Sequence, residues 1–269
     1  MKLENRICEN CGSLHGTLQH VKQIFLEVMC YINCLTMRAI VVVPTYNEAA
    51  NLEPLVQQIQ QHANGLHILI VDDNSPDGTG KLADELSEKH SSSVFVIHRK
   101  QKEGLGPAYV HGFTRALNEG YDVIVQMDAD LSHDPSSLPQ FLEQIGSADA
   151  VIGSRYMHGV SVLNWDFKRL MLSKFATKYI QMITRLPLSD ATGGYNCWRR
   201  QTLEAVGFEG AFSNGYLFSA ELKYKAYRKK FKLIEIPIVF TERDLGESKM
   251  NWGIIWEAIW GVFKLRIRY

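Results

Sequence analysis

No stretch of the sequence reaches the roughly 18 uninterrupted apolar residues of a membrane span. The N-terminus also lacks a charged segment followed by an apolar one, so the expectation is a chain made and kept in the cytoplasm. Net charge is absent too: 29 Lys and Arg offset 29 Asp and Glu, and composition gives no reason to expect a nucleic-acid partner. Glycine-rich nucleotide fingerprints are missing. Pro44-Thr45-Tyr46-Asn47-Glu48 follows the first strand where a Gly-x-Gly-x-x-Gly turn would stand, and there is no Gly-Lys-Ser/Thr loop, which disfavours a nicotinamide or flavin enzyme. Cysteine is scarce and odd in number, and Cys8, Cys11, Cys30, Cys34 and Cys197 read as thiols rather than a disulfide framework.

What is present suffices for one large α/β domain: 269 residues, 46% hydrophobic and 22% charged. Residues 1–37 differ in character and read as an N-terminal extension, helical or loosely attached, with Met37 as an alternative start. Cys8-x-x-Cys11 and Cys30-x-x-x-Cys34, with His15 and His20, have spacings that suit zinc. Cys30 and Cys34 also fall in an apolar helical run, where cysteine is an ordinary core residue.

From Arg38 the pattern is strand, turn, helix, repeated. Ala39–Val43, Ile68–Val71, Val94–Ile97, Val123–Met127 and Ala150–Gly153 are short apolar runs, as expected of strands covered on both faces in a parallel sheet. Between them lie helices through Leu55, Val56 and Ile59, capped by Asn51; through Leu82 and Leu86; through Tyr109, Phe113 and Ala116; and over Pro135–Ile145. Leu233–Phe240 reads as an edge strand, because Pro237 cannot donate to a ladder.

The run Val123-Ile124-Val125-Gln126-Met127 stops at Asp128-Ala129-Asp130. Two carboxylates one residue apart can point the same way from a strand's C-terminal end, where open α/β sheets bind ligands. They repel one another unless a divalent cation with further oxygen ligands sits between them. A polar strand end entering a loop is the plainer alternative. The second strand likewise closes on Asp72-Asp73, of which the Ser75-Pro76-Asp77-Gly78 turn needs neither, so a carboxylate is available there for a nucleoside's base or ribose. The fifth strand delivers Arg155.

Taken together, Val43-Pro44-Thr45-Tyr46-Asn47-Glu48, Asp72 to Thr79, Met127 to His133, Gly153-Ser154-Arg155-Tyr156 and Arg243 to Met250 resemble family 2 glycosyltransferases of the A fold, and within them the dolichyl-phosphate (polyprenyl-phosphate) mannosyltransferases. The resemblance implies a Rossmann-like, mainly parallel sheet flanked by helices, with a catalytic domain over 38–250. It implies that Pro44, Tyr46, Glu48, Val71 and Asp73 hold the nucleoside end of GDP-mannose. Asp128, Ala129 and Asp130 would bind the diphosphate through Mg2+ or Mn2+, with Asp128 and Asp130 as metal ligands. Arg155, Arg243 and Lys249 would contact phosphates, and Arg169 and Ser173, spaced i to i+4 on one helix face, would take the acceptor phosphate. Ser132 stands where some relatives place a metal-ligating glutamine, which leaves water or His133 to complete the shell.

The implied reaction is inverting, metal-dependent transfer of mannose from GDP-mannose to a dolichyl or polyprenyl phosphate. The alternatives are a donor such as UDP-glucose or UDP-N-acetylglucosamine, or a non-catalytic sugar-nucleotide-binding subunit. Implied partners are a membrane surface at its cytoplasmic face and, in some relatives, a small membrane-anchoring subunit. Over 251–269, Trp252, Ile255, Trp256, Ile259, Trp260 and Phe263 recur at helical spacing before Lys264, Arg266 and Arg268. That pattern suits an amphipathic helix, either packed on the core or lying in a membrane interface. The basic clusters Lys168, Arg169, Lys174 and Lys178, and Lys223 to Lys232, are either solvated faces or a surface that meets anionic lipid.

Overall fold

The computed structural model describes residues 37–157, 159–163, 167–213, 215–241 and 252–269, without the side chains of 168, 169, 216 and 252–258. The N-terminal extension and its cysteines lie outside the described residues, and everything below belongs to the unit Arg38–Tyr269.

The first three strands, β1 (Ala39–Thr45), β2 (His67–Asp72) and β3 (Val94–His98), alternate with helices α1 (Ala49–His62), α2 (Thr79–Lys89) and α3 (Leu105–Asn118). Then come β4 (Val123–Gln126), α4 (Leu138–Gln144) between two 3-10 turns, β5 (Ala150–Ser154), the two-residue β6 (Val162–Leu163) and α5 (Phe167–Thr184). The chain finishes with β7 (Asn196–Arg199), α6 (Arg200–Val206), α7 (Tyr216–Arg228), β8 (Leu233–Pro237), β9 (Phe240–Thr241) and α8 (Trp252–Arg268).

Seven strands form one sheet in the order β3-β2-β1-β4-β7-β5-β8, and β6 pairs with β9 in a second, small sheet. Only β7 runs antiparallel within the large sheet, pairing Gln126 with Asn196 on one side and Ile152 with Asn196 on the other. The order reverses between β1 and β4, which opens a crevice at their C-terminal ends. Strand β1 is the hub: Ile40 to Val43 are fully buried, as a central strand covered on both faces must be.

Helix α3 carries the chain from β3 across β2 and β1 to β4. It lies so close that a Cβ on Gly112 would stand 2.3 Å from Val42 Cγ1 and 3.2 Å from Val71 Cγ2. Tyr109, Phe113 and Ala116 of α3 join Ile40, Val42, Leu69, Val71 and Ile124 in the main core, together with Leu203 of α6, Phe218 and Leu222 of α7 and Val262 of α8. Helix α1 packs against both α2 and α4.

Four local expectations are corrected. Asn51 lies inside the first turn of α1 and donates to Glu48 Oε2 (2.8 Å), so Glu48 occupies the cap position without a side-chain cap. The helix expected over Pro135–Ile145 is α-helical only from Leu138 to Gln144. Strand β8 is an edge strand but stops at Pro237, and Phe240–Thr241 pairs instead with β6. The Lys223 to Lys232 cluster is no uniform solvated face, since Lys223 and Lys225 are buried.

Candidate active site

The crevice is lined from β1, β2, β3 and β4 on one side and from β5 and the segment before β7 on the other. Because β7 runs antiparallel, its N-terminal end reaches the same sheet edge as the C-terminal ends of β4 and β5. The loop Ser189–Tyr195 is thereby delivered beside Asp128.

On the β1–β3 side, Pro44 pairs with Val71 and Thr45 with Asp72 across the strands. Asp72 is committed to the turn: Thr45 Oγ1 (3.1 Å), Ser75 N–H (3.1 Å) and Ser75 Oγ (2.6 Å) all donate to it. Asp73 instead pairs with the buried Arg99, whose Nη1 donates to Oδ1 at 2.5 Å, while Nη2 donates to Glu103. Burial pushes the Asp73 carboxyl above its ordinary pKa, and Arg99 opposes that shift. Tyr46 lies half-buried with Lys102 Nζ 3.6 Å from its ring centroid. The Val71 side chain packs into the core under α3, so only its backbone faces the crevice.

At the end of β4, Asp128 Oδ1 accepts from the phenol of Tyr109 (2.8 Å), and its backbone N–H donates to His133 Nδ1 (3.0 Å). Tyr109 is fully buried, and burial together with Asp128 raises its pKa well above the ordinary value, so it remains a donor. Burial lowers the His133 pKa against the pull of Asp128 and Asp130; the ring is neutral, with its acceptor nitrogen already used. His133 therefore positions Asp128 through Nδ1. Asp130 Oδ1 accepts from Ser132 N–H (3.1 Å) and Ser132 Oγ (2.5 Å). Leu131 between them holds φ +60°, a left-handed conformation costly for a non-glycine residue and met here at the tip of the carboxylate loop.

A divalent cation fits this donor set. The two carboxylates offer hard oxygen ligands of the kind Mg2+ and Mn2+ take, and among the described residues no third His, Cys, Asp or Glu joins them. Completion would fall to a phosphorylated ligand or water. Room exists beside Asp128: Gly194 faces it, and a Cβ there would stand 3.3 Å from both Asp128 Oδ2 and His133 Cε1.

On the far side, Arg155 is buried and clamped by Asp190, with Nε to Oδ2 at 2.6 Å and Nη2 to Oδ1 at 2.8 Å, and it also donates to Thr192 Oγ1 (2.9 Å). Burial alone would raise the Asp190 pKa, but the Arg155 guanidinium overrides it and holds the carboxyl at about 2. The fully buried Lys223 of α7 donates to the carbonyls of Asp190 (3.2 Å), Ala191 (3.4 Å) and Gly193 (2.7 Å). Glu235 of β8 accepts from Ser189 N–H (2.8 Å) and Asp190 N–H (3.0 Å). The loop is thus held from two elements. Tyr156 donates to Ser173 Oγ on α5 (2.8 Å), and its ring lies 5.4 Å from the Arg155 guanidinium.

Pro44, Tyr46, Glu48, Asp73, Asp128, Ala129, Asp130 and Arg155 all come from the strand ends that open on this crevice, and α5 brings Ser173 to its rim beside Tyr156. Arg243, Lys249 and the Arg169 side chain lie outside the described residues. Sequence reasoning missed Arg99, although a cation directly after a strand is the same signal that marked Asp73. It took Tyr109 for a plain apolar-face residue and Lys223 for surface charge. Their long-range partners, Asp128 and the 190–193 carbonyls, carry no local signal.

Comparison with known proteins places this geometry. The model of glycosyl transferase family 2 matches residues 40–207. A polyprenol monophosphomannose synthase of Mycolicibacterium smegmatis is 45% identical over 234 residues, covering 87% of this chain and 88% of that protein. An undecaprenyl-phosphate mannosyltransferase of Micrococcus luteus is 42% identical, covering 84% and 95%. Among solved structures, a mannosyltransferase from Pyrobaculum calidifontis in complex with GDP-Man and Mn2+ superposes with a TM-score of 0.60 at 18% identity, covering 93% of this chain and 74% of that one; at that identity the likeness speaks for the fold alone.

Proposed function

The chain belongs to glycosyl transferase family 2, and from that premise we propose that it transfers mannose from GDP-mannose to a dolichyl or polyprenyl monophosphate, with inversion. The observation that carries the reading is the two-sided crevice. Asp73 with Arg99 lies on one side of the Asp128/Asp130 pair, and Arg155, clamped by Asp190, lies on the other. The names of the relatives at 45% and 42% identity support the sugar and the acceptor class.

In this reading Asp73, Tyr46 and Glu48 hold the nucleoside. Asp128 and Asp130 would hold Mg2+ or Mn2+, which when bound would supply positive charge against the negative charge that grows on the leaving GDP. Tyr109 and His133 fix the orientation of Asp128. Arg155 has two of its donors on Asp190, so its fork is preorganised before any phosphate arrives. Ser173 and Arg169 on α5 position the acceptor. A phosphate monoester has its second pKa near ~6 and is already largely ionised at neutral pH, so the attacking oxygen needs no strong base. Arg243 and Lys249 complete the phosphate contacts. The enzyme works peripherally at the cytoplasmic face of a membrane; no helix among the described residues is long and apolar enough to cross one.

The test is sugar transfer to a short polyprenyl phosphate with Mg2+ or Mn2+, comparing GDP-mannose, UDP-glucose and UDP-N-acetylglucosamine, with Asp130→Ala in parallel. GDP-mannose alone should give a glycolipid, and Asp130→Ala should lower the rate by at least roughly 100-fold. Transfer from a UDP-sugar would overturn the donor, and metal-dependent binding of GDP-mannose without any transfer would overturn the enzyme.

A further inference from the structure

Strand β4 carries one polar side chain among apolar ones. Alternation places Gln126 on the same face as Ile124, which belongs to the core built by Tyr109 and Phe113 of α3 and by Phe218 and Leu222 of α7. Gln126 is fully buried there, and a carboxamide taken out of water is destabilising unless its donors and its acceptor are all used. They are. Its Nε2 donates to Ser219 Oγ of α7 (2.9 Å), and its Oε1 accepts from Asn196 Nδ2 of β7 (3.2 Å). The side chain also bonds to the phenol of Tyr109, where it acts against the rise in that group's pKa.

Each of the three partners leads to the crevice. Tyr109 donates to Asp128 Oδ1 (2.8 Å). Asn196 Nδ2 donates a second time, to the carbonyl of Gly193 (3.2 Å), which also accepts from Lys223 Nζ (2.7 Å). Ser219 lies one turn before Lys223, so a single face of α7 holds both Gln126 and the 189–195 loop. The loop has little slack: a Cβ on Gly193 would stand 3.1 Å from the Gly153 carbonyl oxygen and 3.3 Å from Oδ2 of Asp190, the carboxylate that clamps Arg155. The same bonds fix the Asn196 amide, because turning it over would set its oxygen against two other oxygens; as it stands, that oxygen has no partner among the described residues. Tyr109, Gln126, Asn196, Lys223 and Asp190 are all fully buried, so a continuous polar path runs through the interior from Asp128 to the clamp on Arg155.

We propose that Gln126 is the positioning residue that locks the Asp128 carboxylate and the 189–195 loop into one frame. It touches neither substrate nor cation. It acts on Asp128 through Tyr109, and on Asp190 and Arg155 through Asn196 and Gly193. The distance between the carboxylate pair and the guanidinium is thereby set from behind the sheet, before any ligand enters the crevice, which is the kind of support a site needs when two like-charged groups must be held side by side. The proposal deepens the transferase reading above and rests on it for the ligands used.

The experiment is a calorimetric titration of the full chain with GDP-mannose at a series of Mn2+ concentrations, in four proteins: wild type, Gln126→Met, Tyr109→Phe and the double variant. Gln126→Met keeps length and volume and removes all three bonds. The Mn2+ concentration for half-maximal binding should rise by about 5-fold in Gln126→Met, and adding the change to Tyr109→Phe should raise it no further, since the route to Asp128 is already cut. At saturating Mn2+ and substrates, kcat for transfer to a short polyprenyl phosphate should still fall by roughly 10-fold, because the tether to the loop is lost as well. Ser219→Ala removes one tether at a helix position that favours alanine, folds without difficulty, and should raise the half-maximal Mn2+ concentration by about 2- to 3-fold. A lower urea midpoint with the Mn2+ titration unmoved in both Gln126→Met and Ser219→Ala would make Gln126 a packing residue and overturn the proposal. The full 5-fold rise repeated on top of Tyr109→Phe would overturn the route through Tyr109, and a wild-type kcat at saturating Mn2+ would overturn the tie to the loop. Metal-dependent binding of GDP-mannose by a wild-type chain that transfers nothing would sink the transferase reading, while the Mn2+ titration would still decide for or against Gln126.

Discussion

Tyr109 shows how a single hydroxyl can matter in a site built from carboxylates. The Tyr109 phenol donates to Asp128 Oδ1, and it sits in a fully buried ring stacked 6.2 Å from Phe218. A hydrogen bond from a neutral donor to a charged acceptor contributes roughly 1.5–3 kcal/mol, and its removal leaves a carboxylate oxygen facing an apolar ring edge. Tyr109→Phe keeps the packing and removes only the bond. The metal concentration for half-maximal binding of GDP-mannose, measured by calorimetry, should rise by about 10-fold or more, and the denaturation midpoint should fall with it, because the bond is lost from the metal-free fold as well. Unchanged metal dependence would reduce Tyr109 to a packing residue.

At the scale of elements, α3 bears on β1 and β2 through Gly112, where a methyl group has no space. Gly112→Ala places a Cβ 2.3 Å from Val42 Cγ1, in the most buried strand of the sheet, and something must shift. Overpacking of this kind costs about 1–3 kcal/mol, and because β1 carries Pro44 to Glu48 into the crevice, GDP-mannose binding should weaken along with stability. A urea midpoint equal to wild type would mean that the helix rides outward freely. The same elements show what could be read beforehand. Strands β1, β2, β4 and β5 were legible because a strand buried on both faces is an apolar run ending in a turn, and their ends bring Asp73, Asp128, Asp130 and Arg155 to one edge of the sheet. Strand β7 was not. Asn196-Cys197-Trp198-Arg199 has no alternation and little β-branching, and its place between β4 and β5 is set by pairing with residues 44 to 76 positions away. Since β7 brings the 189–195 loop to the site, the β5–β7 side of the crevice was less legible than the β1–β4 side for the same reason.

At the scale of the whole molecule, the 189–195 loop is held by buried charge, and that makes stability depend on pH in two separate windows. Asp190 is held at about 2, below its ordinary 3.8, so its contribution is complete above pH 3.8 and is lost as pH falls through about 2. Lys223 has the opposite sign. Burial lowers its pKa from 10.5 to about 8, opposed by Asp190, so between those values the unfolded chain binds a proton that the folded one does not. Stability from this group therefore rises with pH across 8 to 10.5. Lys223→Met removes the titration and the three carbonyl contacts together, so the variant should be less stable than wild type throughout. The decisive quantity is the gap between the two, measured by urea denaturation at a series of pH values. It should widen from pH 8 to 10.5 by an amount on the order of 3 kcal/mol, while the gap stays constant between pH 5 and 7. Parallel curves would show that Lys223 keeps its proton in the fold at high pH, and that the 190–193 carbonyls solvate the ammonium well enough to cancel the burial that surrounds it.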